Sequence, residues 1–215
     1  MVFSVKSSTR IAGGLGDRNE LLANDLAGIV GMAGSSVARR IEVAENLGFP
    51  DIRSAIAIRW GLPNSRPVSE CQASIVQARE AFLRQLGNWA VFTATIGATD
   101  RGPQNVVWDV ASGTLAHVDF EDSFRATDNF QEQVQLAKAF GGLNGAAWRQ
   151  DSSDPLGQVL ACGILDGNTL LVSKRTEVLQ QMRDRGVEPG YIDRSAAWID
   201  LPTSEKLSLA AQSVG

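Results

Sequence analysis

Histidine and cysteine are both scarce in this chain of 215 residues. The one histidine is His117, and the two cysteines, Cys71 and Cys162, stand far apart. We therefore expect neither a Ser-His-Asp triad nor a multi-histidine metal site, and neither a cysteine metal cluster nor a disulfide framework. Buried, reduced thiols of an intracellular protein are the simpler expectation. Any chemistry has to come from carboxylates, amides, lysines or arginines.

An excess of positive charge is missing as well, since the net charge is −4. Nucleic-acid binding usually shows as a basic patch, and an anionic membrane attracts a run of lysines, so neither partner is expected. No stretch reaches the ~18 apolar residues of a membrane span, and residues 1–10 lack the apolar segment of a signal peptide. We expect a soluble, cytoplasmic protein without a membrane span.

The composition and the periodic patterns that are present predict an α+β fold. A hydrophobic content of 44% can fill the core of one compact unit or of two small lobes. Alternation predicts a strand over 2–6, and two further strands are predicted over 37–47 and 52–60, the second from its short apolar run. Helical spacing predicts a helix over 19–32, and residues 7–17 have the composition of a loop. A Gly- and Pro-containing linker over 61–67 marks the predicted boundary between a small mixed lobe, 1–62, and a larger helical lobe, 63–215.

The second lobe is predicted to be mainly helical around one hairpin. Residues 105–108 and 115–120 have strand patterns, and 109–114 form a tight connection with Gly113. The predicted helices cover 69–87, the start of another at 88–96, and 128–141, 155–165, 173–185 and 203–213.

Two polar segments flank this hairpin and contain the candidate chemistry. Asp100 and Asn105 lie on the loop before it, and Asp119 ends the strand after it. Because a hairpin brings its two ends together, Asn105 and Asp119 are expected to face one site. An amide and a carboxylate oxygen suit Mg²⁺, and a separate carboxylate can orient an attacking hydroxyl, which are the requirements of phosphoryl transfer.

Asp-Arg-x-x-x-Asn at 100–105 followed by His-Val-Asp-Phe at 117–120 resembles the catalytic and metal-binding loops of phosphoinositide kinases and their HipA-type relatives. The resemblance covers about 30 residues, with both motifs in the right order around a hairpin. It implies a bilobal kinase-like fold, ATP and Mg²⁺ as cofactors, Asp100 as the catalytic aspartate, and Asn105 and Asp119 as metal ligands. His117 falls at the histidine of the second motif and is expected to brace the loop by hydrogen bonds.

A weaker resemblance lies upstream. Lys6, followed by Glu20 at the start of a predicted helix, is similar to the family's phosphate-binding lysine and its helix glutamate. Trp60 would then belong to the hinge beside the adenine and form a wall of the nucleotide site.

The sequence departs from the family at two points. Kinases of this class place two strands and a phosphate-covering loop before the lysine, whereas five residues precede Lys6 here, so we expect a shortened N-terminal lobe. Glu121 replaces the glycine that usually follows Asp-Phe, and Asp122 adds a second negative charge. These carboxylates could repel a triphosphate or recruit a further cation.

Each candidate also has a simpler interpretation. Asp100 could cap a turn, Asn105 could satisfy loop carbonyls, Lys6 could be a surface lysine, and Glu20 could favour a helix N-terminus. Three functions therefore remain open. They are an ATP- and Mg²⁺-dependent phosphotransferase acting on a small-molecule or protein hydroxyl, a pseudokinase that binds or regulates, and a kinase-fold protein re-used for ATP-independent biosynthetic cyclisation or rearrangement.

Overall fold

A computed structural model describes residues 3–7, 15–42, 54–59, 62, 64–99, 101–124, 130–150 and 153–214. The architecture is α+β, as predicted from the sequence, with helices and two small antiparallel sheets. One sheet contains the candidate lysine, and the other ends next to the candidate metal ligands.

The first sheet is formed by β1 (Phe3–Ser7), β2 (Val37–Glu42) and β3 (Ser54–Arg59), in the order β1-β3-β2. A strand was predicted at each of these three places. Ile56 and Ile58 are buried on one face together with Ala38. Leu21, which lies in the helix between β1 and β2, packs against this small cluster.

Helix α1 (Leu15–Val30) connects this sheet to the main core. Leu22, Leu26 and Val30 recur on one face and are buried in the large cluster that also contains the residues of the later helices. The helix begins four residues earlier than predicted, within the segment assigned to a loop. It ends at Gly31, whose positive φ of 81° suits a residue without a Cβ.

The second sheet contains β4 (Ser65–Pro67), β5 (Val106–Asp109) and β6 (Thr114–His117), in the order β4-β5-β6. The predicted hairpin is confirmed. Asp109 accepts hydrogen bonds from the N–H groups of Ala111 and Ser112, both 2.9 Å long, which stabilise its turn. The interpretation of 61–67 as a linker alone is wrong, because its last three residues pair with β5.

The remaining described elements are helical. They are a short 3-10 helix Val68–Glu70, α2 (Gln72–Gln77), α3 (Arg79–Thr95), α4 (Phe130–Ala139), α5 (Gly145–Gln150), α6 (Pro155–Asp184), α7 (Pro189–Asp200) and α8 (Thr203–Ser213). The predicted bounds of the last helix are confirmed, whereas α5 and α7 were not predicted.

The close packing of α3 against α6 corrects two sequence predictions. The helical stretch was expected to break near residue 87, but the break lies at Ala78, and 155–165 and 173–185 form a single helix. Glycines in α3 and α6 explain both differences. A Cβ at Gly87 would lie 2.6 Å from the carbonyl oxygen of Leu160, and one at Gly167 would lie 2.7 Å from that of Asn88. These glycines let two helix backbones approach and do not interrupt them.

Helix α6 is also long and apolar enough, by length and composition, to cross a membrane. It has 30 residues, and 33% of its most apolar stretch is buried in the structure. The core helix of a soluble protein meets the same criterion, and α6 buries Leu160, Ile164 and Leu171 in the main core.

Replacement of Gly163 by alanine tests the helix contact. A Cβ there would overlap the backbone carbonyl of Arg84, so Gly163→Ala should lower the free energy of unfolding by ~1–3 kcal/mol. Gly28→Ala is the matched control. It lies within α1 with nothing within 4 Å of the added Cβ, and should raise the free energy of unfolding by ~0.5–1 kcal/mol. Urea unfolding measures both, and equal effects of the two changes would contradict the close contact.

Candidate functional site

The hairpin brings Asn105 and Asp119 to the same end. The β5-β6 ladder pairs Val106 with His117 and continues one step further, where the N–H of Val118 donates to the carbonyl of Asn105 at 3.0 Å. Asp119 is the next residue along the chain. Asn105 is buried and Asp119 half-buried, so a residue with an amide and a residue with a carboxylate stand at the same end of the hairpin.

Asp119 has an unusual backbone conformation. Its φ of 64° lies in the left-handed region, which a residue with a Cβ occupies only at a cost of free energy. Such conformations persist where the surroundings hold them, and they are common at functional sites. The contacts of the loop that follows Asp119 are therefore part of the site.

Arg101 holds this loop in place by hydrogen bonds to backbone carbonyls. The sequence analysis assigned no role to this residue. The residue is 2% exposed. Its guanidinium donates to the carbonyl oxygens of Thr99 at 2.9 Å, Val118 at 2.8 Å and Asp119. The same group lies 5.0 Å from the centroid of the Phe120 ring. The signal in the sequence was an arginine directly after Asp100, in a segment whose polar residues were expected to face one site.

Glu20 of α1 also holds this loop in place. Its side chain is 2% exposed, and Oε2 accepts the backbone N–H of Phe120 at 2.7 Å, while Oε1 accepts from the amide of Asn24 at 2.9 Å. The carboxylate predicted to orient the lysine thus contacts the residue next to Asp119. A charge-assisted bond in a buried setting is stronger than an ordinary hydrogen bond.

Three candidate residues are described only in part or lie outside the description. Lys6 occupies β1 and is paired with Ile56 of β3, which is buried on the face that packs with Leu21 of α1. In the order β1-β3-β2, helix α1 packs against β2 and β3, and the lysine strand β1 lies on the other side of β3 from β2. Asp100 and Trp60 lie outside the described residues.

His117 is packed differently from the expectation. Its ring is 1% exposed and stacks on Trp89, with centroids 5.0 Å apart and planes at 23°. Neither ring nitrogen has a hydrogen-bond partner among the described residues, so the prediction that His117 braces the loop by hydrogen bonds is wrong. Burial, and after it the nearby Arg101, lower the pKa of His117 well below its usual value.

The donor set at the hairpin end fits a hard cation. Mg²⁺ prefers oxygen ligands and is commonly held by one or two protein oxygens together with phosphates and water. Asn105 and Asp119 offer an amide and a carboxylate of this kind. Among the described ranges, no group of three or more His, Cys, Asp or Glu side chains could hold a metal ion.

Comparison with known proteins adds no assignment: no family model matches the chain, and no curated protein matches it. The functional interpretation therefore depends on the residues and their geometry.

The burial of the single histidine predicts a pH dependence of stability. Since the pKa of His117 is lowered in the folded state, the unfolded chain binds an extra proton as the pH falls below about 6.5, and folding loses stability there. The free energy of unfolding should fall by up to ~1.4 kcal/mol per pH unit relative to His117→Phe. Urea unfolding between about pH 5 and 7 measures this difference. An imidazole NMR signal that titrates near pH 6.5 in the folded protein would contradict it.

Proposed function

We propose that this protein is an ATP- and Mg²⁺-dependent phosphotransferase of phosphoinositide-kinase-like fold, with the lobes at 1–62 and 63–215 predicted above. One observation supports this most. The buried carboxylate of Glu20 bonds to the N–H of Phe120, so the helix after the lysine strand meets the Asp-Phe segment. Kinases need both of these parts in place together, because the lysine-glutamate pair holds the phosphates and the aspartate holds the metal.

The chain's own residues divide the work as follows. Asp100 orients the acceptor hydroxyl and accepts its proton as the bond between the hydroxyl oxygen and the γ-phosphorus forms and the bond to the leaving ADP oxygen breaks. Lys6 steadies the phosphates and Glu20 orients Lys6, while Trp60 walls the adenine. Asn105 and Asp119 hold Mg²⁺, which offsets the charge of the phosphates when bound.

The acceptor proposed is a hydroxyl of a small molecule or of a protein side chain. A lipid acceptor in an anionic membrane would favour a run of basic residues, which this chain of net charge −4 lacks.

A pseudokinase is the second candidate, and a specific feature favours it. Glu121 and Asp122 are half-buried directly after the Asp-Phe segment. Two further carboxylates near the metal ligands oppose the approach of a triphosphate. A chain that kept the loops as a structural unit and lost transfer would tolerate these charges.

A thermal-shift titration with Mg-ATP tests whether nucleotide binds. Ligand at about a hundred times its Kd should stabilise the fold by roughly 2.7 kcal/mol. Asp119→Asn should remove the metal-dependent part of this shift, because the neutral amide binds Mg²⁺ more weakly. Asp193→Asn, the same charge change on an exposed part of α7, should leave the shift intact. A wild-type protein that shows no shift at millimolar Mg-ATP contradicts the proposal.

Turnover separates the two candidates. Asp100→Ala should preserve binding of Mg-ATP and abolish phosphate transfer to an acceptor or to water, measured as ADP release. Nucleotide binding without any ADP release in the wild-type chain, unchanged by Asp100→Ala, would favour the pseudokinase instead.

A further inference from the structure

Asn19 makes contacts that the proposed roles do not use. It lies in α1 directly before Glu20, and its side chain is 6% exposed. Its amide nitrogen donates to the carbonyl oxygens of Glu121 at 3.1 Å and of Ser123 at 2.7 Å. A side-chain amide has two N–H donors, and both have acceptors on the loop after Asp119.

Asn19 and Glu20 hold this loop by opposite kinds of hydrogen bond, the first as a donor and the second as an acceptor. Glu20 accepts the N–H of Phe120, and Asn19 donates to two carbonyls further along. A carboxylate could not replace the amide at position 19, because it would face two carbonyl oxygens without a proton to donate. Position 19 therefore requires a hydrogen-bond donor, and position 20 an acceptor.

The segment needs such contacts because both of its ends are in the left-handed region. Asp119 has a φ of 64° and Phe124 a φ of 62°. Each costs free energy that the surroundings have to offset. Outside α1, Thr99 donates to the carbonyl of Asp122 at 3.0 Å, and Arg101 donates to that of Asp119. The loop is therefore held both by α1 and by the segment that contains Thr99 and Arg101.

Helix α1 is a firm support for these bonds. Leu22 and Leu26 are fully buried in the main core. Arg18, the residue before Asn19, donates to the carbonyl of Gly186 at the end of α6 at 2.9 Å. A side chain on this helix can therefore determine the position of a loop that is distant in sequence.

We propose that Asn19 is a positioning residue for the metal site. By holding the carbonyls of Glu121 and Ser123, it keeps Asp119 in its left-handed conformation at the end of the hairpin where Asn105 also stands. This inference rests on the proposed phosphotransferase function. Its consequence is that Asn19 affects the affinity for the metal-nucleotide complex and the order of one loop, and leaves the rest of the fold unchanged.

Two measurements on the full chain test this role. Hydrogen exchange without nucleotide reports how firmly residues 120–124 are held, and titration with Mn²⁺ in the presence of ATP reports the apparent Kd of the metal. Asn19→Asp, which has the same shape without the donors, should lose exchange protection in this loop and raise the apparent Kd about tenfold or more. Asn19→Ser, which retains one donor, should show a smaller change in both.

Asn168→Ala is the control for general destabilisation. Asn168 bonds to Lys206 and Thr203 at 2.6 and 2.8 Å, away from the loop. It should lower global stability without changing loop exchange or the apparent Kd. Equal effects of Asn168→Ala and Asn19→Asp on the apparent Kd would overturn the positioning role.

The outcomes also separate this inference from the proposed function. If Asn19→Asp keeps the exchange protection and the metal affinity of the wild-type chain, the inference is wrong and the phosphotransferase proposal still stands. A wild-type chain that binds no Mn²⁺ with ATP overturns both the function and the metal-site role of Asn19, while the exchange measurement still decides whether Asn19 holds the loop.

Discussion

The bond from the N–H of Phe120 to the carboxylate of Glu20 joins two parts of the chain that are a hundred residues apart. A buried carboxylate needs partners, because an uncompensated charge in the interior costs several kcal/mol. Phe120 and Asn24 supply them. The requirement to satisfy Glu20 holds the loop after Asp119 against α1.

The helical core supports this arrangement from a distance. Glycines allow α3 and α6 to pack backbone to backbone, and α1 buries its apolar face in the same cluster. The loop at 119–124 is thus held by hydrogen bonds from α1 and from the segment of Thr99 and Arg101. Close packing makes such supports stiff, and a residue in a costly conformation such as Asp119 requires stiff surroundings.

Local patterns were predictable from the sequence where local chemistry determines the structure. The hairpin turn and the placement of Asn105 and Asp119 at the same end of it belong to this group. The continuity of α6 was not predictable from the sequence, because Gly163 and Gly167 indicate a break unless the close approach of α3 is known. The roles of Arg101 and Asn19 were also missed, since their acceptors are backbone carbonyls that no side-chain pattern reveals.

Paramagnetic broadening by Mn²⁺ in the presence of ATP tests most directly whether one cation pocket exists. At a small fraction of an equivalent, the side-chain amide signal of Asn105 and the backbone amides of Asp119 and Phe120 should broaden first and together. Broadening that begins at exposed acidic residues such as Asp193, with Asn105 and Asp119 unaffected, would contradict the account.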